Sequence, residues 1–345
     1  MDLSERKLCI LKAVIDDYIM TGLPIGSRTI SKKDGFELSS ATIRNEMADL
    51  EELGFLEQPH TSAGRIPSQK AYRFYVDRLM KVVKLNANEA ENIKRYFEDK
   101  MSEVGQVMEK AAKVLSDTTH HISMVLKPQL KKSVIKRVQI VKITERKAIL
   151  LVVTSAGLVT DSVIVVPEGI TPDYLEMIST LLTEKLSTKT LEEAEKDLNG
   201  YLHDNVRANN EFVSDVLNAI ETSVEPYGEK GIVLGGTQNI IDYPDYMSIE
   251  KAKNFISVLE TKEMLYEMMK KATQLEFSVT IGQENEVKEL FDMSVVTATY
   301  KIGGKSLGSF GVIGPTRMDY AKIISILGYV SHSLNSILSN FIEDE

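Results

Sequence analysis

Apolar residues recur at helical spacing through the first quarter of the chain. Leu8, Leu11, Ile15 and Ile19 share one face of a helix over Glu5–Met20, which Gly22 and Pro24 end. A second, short helix runs from Gly26 to Lys32, capped by Ser27 or its neighbour and stopped at Gly35. In the third, Ile43, Met47, Leu50 and Leu53 form the buried stripe, with Ser39 or Ser40 as N-cap and Gly54 as stop. At 100° per residue, Ala41, Asn45 and Ala48 fall opposite that stripe and Arg44 lies on its flank. The exposed N-terminal half of this helix is therefore flat and uncharged to basic, with Glu51 and Glu52 at its far end. Phe55–Gln58 and Arg65–Ile66 then predict two strands around the loop PHTSAGR, and Ser68–Val83 a helix with Tyr72, Tyr75, Val76 and Leu79 inward.

The pattern changes beyond a joint at Asn86–Asn88. A long helical stretch over Glu89–Leu115 gives way to β-branched runs at 134–143, 147–155 and 157–166. Thr171–Lys185 returns to helix, and a mostly helical, acidic stretch runs from after Ser187 to about Gln274, broken at 231–244. EFSVTIG, MSVVTATYKIGGKSLGSFGVIG and a helix over Tyr320–Phe341 complete the chain. Strands, a helical interruption, then strands again predict an α+β fold in which a sheet domain carries an insert at 188–275.

Helix, short helix, tight turn, presented helix is the order of a helix-turn-helix, and a hairpin after the presented helix is the wing of a winged helix. Arg reads guanine and Asn reads adenine bidentately in the major groove, so Arg44 and Asn45 are candidate base contacts. His60, Thr61, Ser62 and Arg65 are candidate phosphate or minor-groove contacts from the loop. With Ser27, Arg28, Ser39, Ser40 and Thr42 from the two helix starts, they make up the expected DNA-contacting set.

Net charge is −9, which by itself argues against a polyanionic partner. Its distribution reverses that reading. Residues 1–83 hold 12 basic and 12 acidic residues, so the deficit lies wholly in the remainder, 29 against 38. Within Arg65–Lys84 six basic residues face one acid, Asp77. A neutral N-terminal unit with a basic edge suits contact with nucleic acid at one end only.

Other chemistry recedes. No apolar run approaches the roughly 20 residues of a bilayer span, and the start MDLSERK is unlike a signal peptide, so no membrane partner and a cytoplasmic setting are expected. The single cysteine, Cys9, precludes an intrachain disulfide, and its apolar neighbours predict a packing thiol. Gly304-Lys305-Ser306 resembles the end of a P-loop, but Thr299 stands where the earlier glycine belongs, and Gly303-Gly304 reads better as a hairpin turn. His120-His121 has no ligand cluster around it. No enzyme activity, cofactor or metal is expected.

The segments GLPIGSRTISKK, LSSATIRNEMADLEELGFLEQPHTSAGRIPSQKAYRFYVDRL and SLGSFGVIGPTRMDYAKIISIL resemble the HrcA family of heat-inducible transcription repressors. The likeness spans both ends of the chain, and the pairing of SSATIRN with HTSAGR is its most specific part. It implies a homodimer that binds an inverted-repeat operator in double-stranded DNA upstream of chaperone genes and needs a GroE-type chaperonin to stay active. It also implies a winged helix (1–86), a GAF-like domain in two segments (87–187 and 276–345) and an inserted dimerising domain (188–275). The alternative is a regulator that senses a small ligand in the GAF-like pocket.

Overall fold

The computed structural model describes residues 3–98, 101, 104–128, 134–154, 159–190, 193, 212, 216, 219, 231–243, 249–302 and 305–343. Helix α1 (Glu5–Thr21) starts on the Ser4 side chain and ends at Gly22, whose left-handed backbone (φ 66°) returns its N–H to the Tyr18 carbonyl at 2.8 Å. Helix α2 (Ser27–Ile30) has Gly26, the neighbour of Ser27, at its N-cap position, with no side-chain cap. Helix α3 (Ser40–Glu52) is capped by Ser39, whose Oγ accepts from the Thr42 N–H at 3.1 Å. Its buried residues are Ile43, Met47 and Leu50, packed with Ile10, Leu11, Val14 and Ile15 of α1 and Ile30 of α2. Strands β1 (Leu56–Glu57) and β2 (Ile66–Pro67) pair antiparallel, and α4 (Gln69–Phe74) follows, continued by a π-helical turn over Tyr75–Leu79.

The expected helix over 68–83 therefore stops at Leu79, and while Arg78, Lys81 and Lys84 are exposed, two of its basic residues are engaged by neighbours. Lys70 donates to the Leu53 carbonyl at 2.7 Å and lies over the Phe55 ring. Arg73 reaches across to the rest of the molecule, pairing through Nε with Glu284 at 2.7 Å and donating to the Val279 carbonyl at 2.6 Å. Asn86 caps the next helix. It forms a reciprocal capping box with Glu89 at the start of α5 (Ala87–Tyr96). The helical stretch expected over 89–115 is two helices, α5 and α6 (Val104–Thr119).

The body is built on a sheet of order β7-β3-β10-β9-β8, every pair antiparallel. Its strands are β3 (Ile122–Leu126), β7 (Ile232–Gly235), β8 (Phe277–Ile281), β9 (Met293–Ile302) and β10 (Lys305–Pro315). Helices α6 and α10 (Tyr320–Glu343) cover one face, where Val125, Val296, Ala298, Tyr300 and Phe310 are buried with Ile326 and Val330. Helices α8 (Ile249–Glu260) and α9 (Lys262–Ala272) cover the other, against Met124, Met293, Val295 and Ile313. The Gly303-Gly304 turn lies outside the described residues, but Ile302 and Lys305 on either side of it pair with each other.

The three β-branched runs do not join this sheet. Strands β4 (Ile135–Thr144), β5 (Lys147–Thr154) and β6 (Val159–Val165) form a separate antiparallel sheet of order β4-β5-β6. Helix α7 (Pro172–Leu186), Phe212 and Val216 cover one of its faces. The expected insert at 188–275 is thereby corrected. Phe255, Leu259 and Leu265 of that stretch are core residues under the main sheet, and β7 is one of its strands. The segment that interrupts the main sheet begins instead near Val134 and includes Val216. Periodicity marks a strand but does not name its neighbour, and β3, buried at all five positions between two helix layers, shows no alternation by which to be noticed.

Candidate nucleic-acid interface

The exposed face of α3 forms as its spacing requires. Ala41, Arg44 and Asn45 face solvent, while Ala48 is half-buried. Three of the acidic residues farther along are paired with neighbours: Lys7 of α1 bonds Glu46 at 2.6 Å and Asp49 at 2.8 Å, and Glu51 holds Arg65 at 2.8 Å, while Glu52 stays exposed at the far end. Arg28, Lys32 and Arg44 have no ion pair among the described residues, so positive charge collects at the N-terminal end of α3.

The loop between β1 and β2 is brought to this end by a backbone stitch. Ile25 and Arg65 exchange N–H···O bonds of 2.9 and 2.8 Å, tying the α1–α2 connection to the base of the loop. That approach depends on Gly64, where a Cβ would stand 2.5 Å from the Ile25 carbonyl carbon. Gln58 shapes the tip by donating to the carbonyls of Thr61 (3.0 Å) and Ala63 (3.1 Å), which leaves His60, Thr61 and Ser62 exposed. Between loop, α2 and α3 lies a cleft of about 530 Å³. Ser27, Arg28, Arg44, Thr61, Ser62 and Arg65 all line it, and no carboxylate does.

The sequence-predicted residues thus divide in three. Those six converge on the cleft. Asn45, with Ser39, Ser40 and Thr42, belongs to the start of α3, where the Ser39 and Thr42 hydroxyls bond each other at 2.9 Å and Ser40 meets Ser31 of α2 at 3.3 Å. His60 stands apart at the exposed tip. Two side chains differ from expectation. Ser27 is buried, so it faces outward only through the cleft. Arg65 is held by Glu51 with its side chain 19% exposed and its Nε buried without an acceptor, which makes it a strut for the loop rather than a mobile phosphate contact. Gln58, Gly64 and Ile25 carry the interface geometry but escape a sequence reading, because their work is done through backbone groups.

Other candidate chemistry is likewise settled in place. Cys9 is exposed rather than packed, since it lies on the outer side of the α1 stripe. His121 is buried, stacked on Tyr243, and bonded through Nδ1 to the Tyr243 hydroxyl at 2.6 Å. Burial, with His120 and Arg317 adding like charge, pushes it down to about 4. No group of metal-ligating side chains occurs among the described residues, and no described helix is long and apolar enough to cross a membrane.

A presented helix beside a cationic cleft, on a mixed α/β body of antiparallel sheets, suits contact with a polyanion at one end. Comparison with known proteins makes the class specific: the curated relatives are transcription repressors, not enzymes. The chain is 40% identical over its whole length to the heat-inducible transcription repressor HrcA of Ruminiclostridium cellulolyticum, also covered in full. It is 43% identical, again with both chains covered in full, to the protein of that name from Thermoanaerobacter sp. strain X514. Residues 105–324 match the model of the HrcA protein C-terminal domain. The chain belongs to the HrcA family. A crystal structure of a hypothetical protein, 24% identical, superposes with a TM-score of 0.70 over 99% of this chain and 100% of the other, which shows the shared fold.

Proposed function

We propose that the chain is a heat-inducible repressor acting in the cytoplasm, with residues 1–86 as its winged helix-turn-helix and α3 as the recognition helix. The observation that carries this reading is the carboxylate-free cleft of three arginines beside the exposed Arg44 and Asn45. A duplex set against this face receives α3 in its major groove by the N-terminal half, while a backbone phosphate enters the cleft. Arg44 and Asn45 then read base edges, Arg28 and the loop hydroxyls position the backbone, and Arg65 keeps the loop in place.

The body has the GAF-like role, and the segment carrying β4–β6 is the dimerising unit. The sheet face away from α7 supports the second assignment. Val141, Val163 and Val165 stand on it in solvent, with Val163 63% exposed, and the register sets Val141 and Val163 on either side of Ile149. Apolar, β-branched and uncovered, this patch is what a second copy related by a two-fold axis would bury. Two copies would read an inverted repeat in double-stranded DNA. Dependence on a GroE-type chaperonin rests on the family resemblance alone.

Binding of the full chain to a fluorescent inverted-repeat duplex tests the recognition helix. Arg44→Ala and Asn45→Ala should each cost about 1–3 kcal/mol and relax preference at the base each reads. Unchanged affinity and unchanged preference in both variants would place recognition elsewhere.

A further inference from the structure

On the face of the main sheet opposite α6 lies a second cavity, of about 310 Å³, roofed by α9 and walled by the loop after β8. Met264, Met268, Leu275, Val287, Leu290 and Val295 give it an apolar lining. The charges among its lining residues each have a partner: Lys271 pairs with Glu286 at 2.5 Å, Glu284 pairs with Arg73, and Glu267 lies 4.0 Å from Lys270. Asn285 is likewise spent, donating to three backbone carbonyls and accepting from the Thr280 hydroxyl at 2.8 Å. Thr297 is different. It lines the cavity, is only 3% exposed, and its hydroxyl has no hydrogen-bond partner among the described residues. A hydroxyl left unpaired in an apolar cavity wall is a group that a ligand satisfies at little desolvation cost.

We propose that this cavity binds a small, uncharged, largely apolar molecule carrying one hydrogen-bonding head group, which the Thr297 hydroxyl recognises. The volume lies at the lower end of the range for ligand pockets, about 300–1,000 Å³, and so selects compact aromatic or branched aliphatic bodies. Because every nearby charge has an internal partner, the site gains nothing from an ionised ligand. The methionines suit a ligand of irregular outline, since thioethers repack cheaply and contact aromatic faces favourably. Occupancy would be felt at the N-terminal unit, because the same loop holds it: Gln69 donates to the Phe291 carbonyl at 2.8 Å and accepts from the Gln283 N–H at 2.9 Å. The site does not depend on the DNA-binding reading, and its test contains no DNA.

The full chain labelled with ¹³C at its methionine methyl groups is titrated with phenol and, separately, with toluene. The methyl signals of Met264 and Met268, assigned by Met→Leu substitution, should shift saturably at millimolar phenol while those of distant methionines stay in place. Thr297→Val, which keeps the shape and removes the hydroxyl, should weaken phenol about three- to tenfold and leave toluene unchanged. Ala272→Leu, which fills the mouth from α9, should abolish both while circular dichroism remains that of the parent. Shifts that are absent, or linear and spread over all methionines, would overturn the site. Equal weakening of phenol and toluene by Thr297→Val would overturn the role given to its hydroxyl.

Discussion

Gly64 is the position at which one carbon atom decides the shape of the surface proposed to face DNA. An alanine there would drive its Cβ into the Ile25 backbone at 2.5 Å, and backbone cannot rotate away as a side chain can. Gly64→Ala should therefore break the Ile25–Arg65 stitch and swing the loop off the cleft. We expect DNA affinity to fall at least about tenfold with helix content unchanged, as read by anisotropy and circular dichroism. Wild-type affinity in that variant would mean that the loop does not help to bind DNA. His121 carries a different prediction. Its pKa in the folded protein, about 4, lies below the ordinary 6.5, so between those values the unfolded chain binds more protons than the folded one. Its contribution to stability is complete above pH 6.5 and is lost as pH falls toward 4, amounting to about 2 kcal/mol by pH 5. Urea unfolding at pH 7 and pH 5 should show the parent losing this much more than His121→Gln. Equal losses in the two proteins would contradict it.

At the scale of elements, the N-terminal unit was the most legible part of the sequence. Caps, glycine stops and a stripe at Ile43, Met47 and Leu50 are local signals, and local contacts obey them. The three runs that became β4, β5 and β6 were equally visible as strands, but their membership of a separate sheet was not, because partnership is decided by contacts far apart in sequence. Charge misled in a similar way: Arg73 looked like part of a solvated basic edge, and its partner Glu284 lies more than two hundred residues on. The cleft was legible as a set of residue types, and its geometry was not, since Gln58 and Gly64 act through backbone groups. The three-stranded sheet also shows how its edges are managed. Along β4, α7 closes the edge with hydroxyls: Ser179 accepts from the Ile140 N–H at 2.9 Å, and Thr183 both accepts from and donates to Val138 at 3.0 Å. The face bearing Val141 and Val163 is the one proposed above for a second copy. Val163→Lys should leave this sheet folded, since its side chain is 63% exposed, and should convert the protein to a monomer in sedimentation velocity. A dimer that survives the substitution would move the two-fold contact elsewhere.

Across the whole molecule, the N-terminal unit is not a tethered bead. One continuous core runs from Ile10 and Ile43 through Tyr72 to Tyr320 and Val330, and the Tyr72 and Tyr320 rings lie 6.1 Å apart. Arg73, Gln69 and the Ser325 hydroxyl, which donates to the Val83 carbonyl, add polar ties across the same boundary. The body therefore sets where α3 points, and the dimer proposed above, made through the β4–β6 segments, would relate two copies of α3 by a two-fold axis. A fixed pair of recognition helices selects the spacing of an inverted repeat, and each half-site alone is bound weakly. The most direct test is a footprint of the purified full chain on the DNA upstream of its own gene, with and without chaperonin. The account predicts two protected half-sites related by a two-fold axis, lost together in Arg44→Ala and in Val163→Lys, with protection increased by chaperonin at equal repressor concentration. A footprint unchanged by Arg44→Ala, or one confined to a single half-site in the parent protein, would contradict it.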